Sequence, residues 1–316
     1  MAILSVNQLT LAYDSKSVVR NCSFELERGE VLVVLGASGD GKSSLLKAIA
    51  GFMPVKKGQI EFQDEILPDA SDMLVPGHAD IRLVNQDFAL DTYHTVEENI
   101  RLKILRFDKK YQEERIADLL RLMKLTTFKK RQTTQLSGGQ KQRLAIARAL
   151  ADEPELILLD EPFNQLDFQT KDRISRHLKR YLKKNNISAI MVTHNGLEAM
   201  EWADRIVYME RGKIQRVATP QEFFNYPSSK KEAAFFGEIN QLKIGEQNYF
   251  FRPSFYSKTK TEFCFMKIEV KFIESQFLGW YSLHLFKCMG QKIKLFSTED
   301  ISGLEHVFIH PIAFSD

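Results

Sequence analysis

No stretch of this 316-residue chain approaches the ~18 consecutive apolar residues that a membrane-spanning helix needs, which excludes a helical membrane anchor. The opening residues, Met1-Ala2-Ile3-Leu4-Ser5-Val6, lack the basic region, apolar core and small-residue cleavage site of a secretory signal. Only three cysteines occur (Cys22, Cys264 and Cys288), an odd number without metal-ligand spacing. A disulfide scaffold is therefore excluded, and reduced thiols in a cytosolic protein are expected. Charge of one sign is also scarce: 44 Lys and Arg against 41 Asp and Glu leave a formal +3. So small an excess does not mark a nucleic-acid-coating protein, and no nucleic-acid partner is expected. Internal repeats and low-complexity linkers are lacking too. What is present, 44% hydrophobic and 27% charged residues, is the composition of a packed protein, not a disordered tail. The length suggests about two domains at roughly 150 residues each.

The first two-thirds alternates buried-strand and helix patterns. Val31-Leu32-Val33-Val34-Leu35 is a continuous, β-branched-rich apolar run between Gly29 and Gly36, and 156–159 and 187–193 are similar. Such runs suit strands covered on both faces, as in a parallel sheet. Helix patterns lie between them, at 44–50, 111–122, 140–150 and 171–183. This alternation predicts βαβ units and an α/β fold. Residues 9–13 and 18–26 read as short strands before the sheet. Residues 205–209 and 213–217 flank Glu210-Arg211-Gly212, a hairpin signal, and Thr219-Pro220-Gln221-Glu222 opens a helix. Near residue 240 the texture changes: 267–272 and 281–285 alternate strictly, with further short candidates at 292–295 and 306–309. Phe-rich, period-two segments separated by Gly and Ser predict a small all-β, barrel-like domain. The boundary is expected between Phe235 and Leu242, giving domains of 1–238 and 239–316.

Two motifs carry chemistry. Gly36-Ala37-Ser38-Gly39-Asp40-Gly41-Lys42-Ser43 fits G-x-x-x-x-G-K-[ST] after a buried strand and before a helix pattern, with Ser44 opening that pattern. Glycines let backbone amides approach phosphate, and the helix N-terminus completes a concave anion site. Lys42 is expected on the β- and γ-phosphates and the Ser43 hydroxyl on Mg²⁺. By composition, a chance match is about a one-in-a-hundred event for a chain of this length. The second motif, Leu156-Ile157-Leu158-Leu159-Asp160-Glu161-Pro162, is a buried strand ending in two acids. Acids at the carboxyl end of a parallel strand face the crevice where α/β sheets hold ligands. Asp160 is expected in the Mg²⁺ shell. Glu161, released from the strand by Pro162, is expected to turn toward the γ-phosphate and direct the attacking water.

Leu136-Ser137-Gly138-Gly139-Gln140 matches the signature of the ATP-binding cassette (ABC) family unbroken, and the chain resembles that family over about residues 1–235. Read by itself, the segment is a serine cap, two glycines and an amphipathic helix, a second anion-seeking helix N-terminus. The resemblance implies a P-loop NTPase-type, mostly parallel sheet with an antiparallel N-terminal β-subdomain, and a helical subdomain near 87–150. It also implies a head-to-tail homodimer in which Ser137, Gly138, Gly139 and Gln140 cap ATP bound by the partner's phosphate loop. By resemblance Tyr13 stacks on adenine, Gln86 senses Mg²⁺ and the attacking water, Asp167 couples the two sites, and His194 contacts the γ-phosphate. Three positions depart from the family: Asn164-Gln165 replaces the common Ser-Ala, and Asp40 stands where a small or polar residue is usual. An acid beside polyphosphate is mildly unfavourable.

Residues 88–95 (Phe-Ala-Leu-Asp-Thr-Tyr-His-Thr) resemble the family's permease-facing segment. Their aromatics would suit a groove receiving a short helix from a membrane subunit. Phe235-Phe236-Gly237-Glu238-Ile239-Asn240 and Phe251-Arg252-Pro253 resemble the junction and C-terminal β (TOBE-like) domain of importer ATPases for sugars, polyamines and ferric ion, although only 77 residues follow residue 239. The resemblance thus implies an ATP-hydrolysing importer subunit, with ATP and Mg²⁺ as cofactors. Its partners would be a transmembrane permease and, through it, a solute-binding protein, placing it peripherally on the cytoplasmic side of the membrane. Export-type, translation and DNA-maintenance ATPases are the alternatives. Translation-type members usually carry two cassettes, and DNA-maintenance types insert coiled coils; one cassette without sustained heptads favours transport.

Overall fold

The computed structural model describes residues 2–14, 16–312 and 314. It divides into two compact units, one ending at Pro220 and the other starting at Gln221.

The first unit holds two sheets. Strands β1 (Ala2–Tyr13), β2 (Lys16–Glu27), β4 (Lys57–Phe62) and β5 (Glu65–Ile66) form an antiparallel sheet in the order β2-β1-β4-β5. The β2 side chains alternate, with Cys22, Phe24 and Leu26 inward and polar neighbours outward. The second sheet runs β10-β9-β3-β8-β7-β6. Its members are β3 (Val31–Leu35), β6 (Ile81–Val84), β7 (Leu156–Asp160), β8 (Ser188–Thr193), β9 (Arg205–Glu210) and β10 (Lys213–Ala218). All of its pairings are parallel except β9–β10. That pair closes through Arg211 (φ 49°) and Gly212 (φ 77°), the two left-handed residues a tight hairpin turn requires. Every residue of β3, β7 and β8 is buried, as their unbroken apolar runs predict.

Helix α1 (Lys42–Ile49) leaves β3 and buries Leu45, Leu46 and Ile49 in a core shared with Leu32, Val34, Leu158 and Ile190. Each such aliphatic side chain contributes about 1.5–3 kcal/mol of burial. Helices α2 (Val96–Arg101), α3 (Lys109–Leu122) and α4 (Gly138–Ala149) form the helical part between β6 and β7. Helices α5 (Phe168–Lys184) and α6 (Gly196–Trp202) follow β7 and β8. Because β3, β8 and β7 are neighbours, their carboxyl ends place three loops side by side, and the chemistry lies there.

The second unit begins with α7 (Pro220–Asn225) and α8 (Lys230–Phe235). Three small sheets follow: β11 (Asn240–Ile244) with β12 (Gln247–Phe251), β13 (Tyr256–Ser257) and β14 (Met266–Glu269) on either side of β18 (His306–Ile309), and β15 (Lys271–Phe277), β16 (Ser282–Cys288) and β17 (Gln291–Ser297). They share one core that includes Leu242, Phe251, Ile268, Phe286, Leu295 and Val307. The division between units lies upstream of the change in sequence texture, and Arg252 supplies the reason. Its fully buried guanidinium donates to the carbonyls of Ala233 (2.9 Å) and Gly237 (3.1 Å) and lies over the Phe224 ring, tying α7 and α8 to β12. Burial without a carboxylate partner lowers its pKa to about 10.

One expected strand is two. The alternation of 267–272 continues through Val270, yet β14 pairs with β18 while β15 pairs with β16 in another sheet. The Val270 amide marks the change by donating to the carbonyl of Glu305.

Candidate functional site: a phosphate loop at the carboxyl ends of β3, β7 and β8

The loop after β3 is shaped by its glycines. Gly41 has φ +89°, and a Cβ there would stand 2.4 Å from the carbonyl oxygen of Val18. Gly36 is equally constrained, 2.5 Å from the carbonyl of Met209. These contacts keep Gly41 as the residue that opens α1 and lets the following amides face outward. Lys42 is buried, and its ammonium donates to the carbonyls of Gly36 (3.0 Å) and Ala37 (2.8 Å). Burial lowers its pKa, opposed by the nearby charges of Asp40, Glu161 and Asp160. A pocket of about 450 Å³ opens beside it, lined by Val18, Ser38, Gly39, Gly41, Lys42, Ser43, Ser44, Gln86 and Glu161.

Asp40 does not face this pocket. Its carboxylate accepts from the backbone amides of Ala37 and Arg211, both at 2.8 Å, and so fastens the loop to the β9–β10 turn. The carboxylate keeps its charge, which acts on Lys42, but its two oxygens are directed at these amides and it does not line the pocket.

The two acids after β7 diverge in environment. Asp160 is buried, and its pKa is raised by burial and by neighbouring Glu161, against the lowering effects of the Ser43 hydroxyl and Lys42. One of its oxygens, Oδ1, is buried with no hydrogen-bond partner among the described residues. A buried orphan carboxylate oxygen beside a hydroxyl is a donor set that suits a hard cation such as Mg²⁺. No group of three His, Cys, Asp or Glu among the described residues forms a self-sufficient metal cage. Magnesium needs none, because it is commonly held by one or two protein oxygens together with substrate phosphates.

Glu161 leaves the strand in a left-handed conformation (φ +48°), which redirects its side chain into the pocket. The expected turn at Pro162 thus begins one residue earlier, at Glu161 itself. His194 Nδ1, from the loop after β8, lies 2.8 Å from Glu161 Oε1, and Gln86 Nε2, after β6, donates to Oε2 at 3.2 Å. The Asn164 amide also donates to Oε2. Nothing in the residue pattern signalled that last contact. Nor did it signal Gln142, whose side-chain amide donates to the Glu161 carbonyl (3.1 Å) and accepts from the Gln165 amide (3.3 Å).

The remaining expected residues stand away from this pocket. Ser137 caps α4 in a capping box: its hydroxyl accepts from the Gln140 amide (3.3 Å), and the Gln140 side chain accepts from the Ser137 amide (2.9 Å). Gly139 is required because a Cβ there would meet the Gln165 carbonyl at 2.8 Å, whereas one on Gly138 would meet only the movable end of the Gln165 side chain. Asp167 caps α5, and its hydrogen bonds with Thr170 lower its pKa. Tyr13 ends β1, half exposed. None of Tyr13, Ser137, Gly138, Gly139, Gln140 or Asp167 lines the phosphate-loop pocket. A second groove, about 460 Å³, is lined by residues including Phe52, Val75, Phe88, Ala89, Lys103 and Arg148. Its floor carries charge that residues 88–95 alone did not announce.

A glycine-rich loop opening a helix, paired acids on the next-but-one strand and a histidine on the strand between define a P-loop nucleotide hydrolase of the cassette type. The profile of the ABC transporter family matches residues 19–164. The chain is 39% identical over 253 residues, 79% of its length and 76% of the relative's, to the spermidine/putrescine import ATP-binding protein PotA of Bacillus cereus. It is 38% identical over 240 residues, 75% of its length and 63% of the relative's, to the putrescine transport ATP-binding protein PotG of Escherichia coli. Among solved structures it is similar to the dimeric ATP-binding cassette MJ0796 in a post-hydrolysis state bound to ADP and Pi. That match has 28% identity and a TM-score of 0.61, covering 69% of this chain and 98% of that one. The chain belongs to the ABC transporter family, as an ATP-binding, ATP-hydrolysing subunit of the importer kind.

Proposed function

We propose that two copies of the chain close head to tail on ATP and drive a separate permease, with hydrolysis directed by Glu161. The observation that carries this reading is the convergence of Glu161, His194 and Gln86 at the mouth of the phosphate-loop pocket. Gly36 to Ser44 cradle the phosphates through backbone amides, and Lys42 exchanges its two loop carbonyls for phosphate oxygens. Ser43 and Asp160, with Gln86, would hold Mg²⁺, which when bound supplies charge neutralisation between the β- and γ-phosphates. Glu161 orients and deprotonates the attacking water, and His194 steadies the carboxylate and contacts the γ-phosphate. Tyr13 stacks on adenine. Ser137, Gly138, Gly139 and Gln140 meet the nucleotide of the other copy, and Asp167 lies between the two sites. Their absence from the lining of their own pocket supports that division of labour.

The groove lined by Phe52, Val75 and Phe88 is the proposed seat of a short permease helix. Among the described residues no helix is long and apolar enough to cross a membrane, so the chain would sit peripherally on the permease's cytoplasmic face. The names of the relatives PotA and PotG make spermidine and putrescine the solutes to test first, delivered by a solute-binding protein through the permease. Glu161→Gln tests the core of the proposal. The variant is expected to bind ATP and lose turnover by about 100-fold or more, as loss of a general base does. Turnover at the wild-type rate overturns the assignment of the base.

A further inference from the structure

We propose that Asn164 is a positioning residue for the hydrolytic carboxylate, a role that rests on reading Glu161 as the base. Asn164 sits at the end of a turn that starts at Glu161: its amide nitrogen donates to the Glu161 carbonyl (3.4 Å), and Pro162 takes the second position, where its fixed φ suits such a turn. Phe163, the third residue, is buried with its ring 5.2 Å from that of Trp202, which anchors the turn in the core. Gln142 clamps the same turn from α4 by bonding both the Glu161 carbonyl and the Gln165 amide. Position 164 is thus held opposite the carboxylate by backbone, packing and a side-chain clamp together.

From there the Asn164 side-chain amide donates to Glu161 Oε2, its one side-chain hydrogen bond among the described residues. The other two partners of the carboxylate have further duties in the proposed reaction, His194 toward phosphate and Gln86 toward the metal. Asn164 has none, so its contact survives when those side chains turn to substrate. The purpose is geometric: Glu161 occupies a left-handed backbone conformation that an L-residue adopts at a cost, and a side chain leaving such a turn needs a tether to keep one orientation. An amide on Oε2 fixes the carboxylate plane and leaves Oε1 to His194. A shorter side chain at 164 would end short of Oε2.

The test pairs kinetics with a measurement on the nucleotide-free chain. Asn164→Ala is expected to lower kcat about tenfold and leave the KM for ATP unchanged, the signature of lost orientation with intact binding. Asn164→Asp keeps the length of the side chain but removes its N–H donor, and is expected to lower kcat at least as far. With asparagine-selective ¹⁵N labelling, the side-chain amide signal lost in Asn164→Ala should move between the nucleotide-free wild type and Glu161→Gln at one pH. An amide left unmoved by Glu161→Gln overturns the proposal even if kcat falls, and so does an Asn164→Ala kcat within twofold of wild type. Wild-type turnover by Glu161→Gln beside an Asn164 amide that does move would instead locate the failure in the choice of base.

Discussion

Asp160 carries an energetic cost in the nucleotide-free protein that its ligand would relieve. Its folded-state pKa is raised, chiefly by burial, so the protonated form is favoured and the ionised form destabilises the fold. The stabilising contribution of protonation is fully present below the ordinary carboxylate pKa, near 3.9, and is lost as pH rises through the folded value. Asp160→Asn should therefore unfold at higher temperature than wild type at pH 7 without nucleotide, by a margin of about 1 kcal/mol that disappears below pH ~4. Calorimetry at the two pH values reads this directly. Asp40 makes the opposite prediction. Its two backbone donors are 2.8 Å away, and Asp40→Ala leaves them unpaired at a cost of about 1–3 kcal/mol, seen as a lower urea midpoint. The phosphate loop and the paired acids are legible from spacing because their chemistry demands contiguous residues or strand ends, whereas His194 is read through the family resemblance. The direction of the Asp40 carboxylate is not legible. Its partner Arg211 is 171 positions away and offers a backbone amide, which has no residue type to recognise.

The terminus of the signature helix is closed by its own side chains. Ser137 and Gln140 satisfy each other's backbone amides, and this is the end proposed to meet the partner's nucleotide. Ser137→Ala is expected to cost about 1 kcal/mol of stability as a lost cap. Strand β16 contains a different anomaly. His284 is buried on the same face of β16 as Phe286, and neither ring nitrogen has a hydrogen-bond partner among the described residues. An unpaired buried polar group of this kind is costly, so His284→Leu should stabilise the chain by about 1 kcal/mol in denaturant titration. A destabilised variant would show that the ring has a partner. Most elements follow from their patterns: α1, α3, α4 and α5 fall within a few residues of the helical periodicity, and β3, β7 and β8 match their apolar runs. The split at Val270 was hidden because period-two alternation persists when a chain passes from one sheet to the next.

At the scale of the whole molecule, the signature residues do not line the phosphate-loop pocket of their own chain, and the proposed head-to-tail pair would bring the two together. The similar cassette MJ0796 was solved as a dimer with ADP and Pi. The most direct measurement is a nucleotide-dependent cross-link. Ser38 and Ser137 are both exposed, and the three native cysteines are buried, so Ser38→Cys and Ser137→Cys can be paired without competition. In a Glu161→Gln background, mixing the two single-cysteine variants under oxidation should yield a covalent species at twice 36.5 kDa when ATP is added, and little without it. A cross-link that forms equally with and without ATP, or never forms, would contradict a triphosphate clasped between opposed copies.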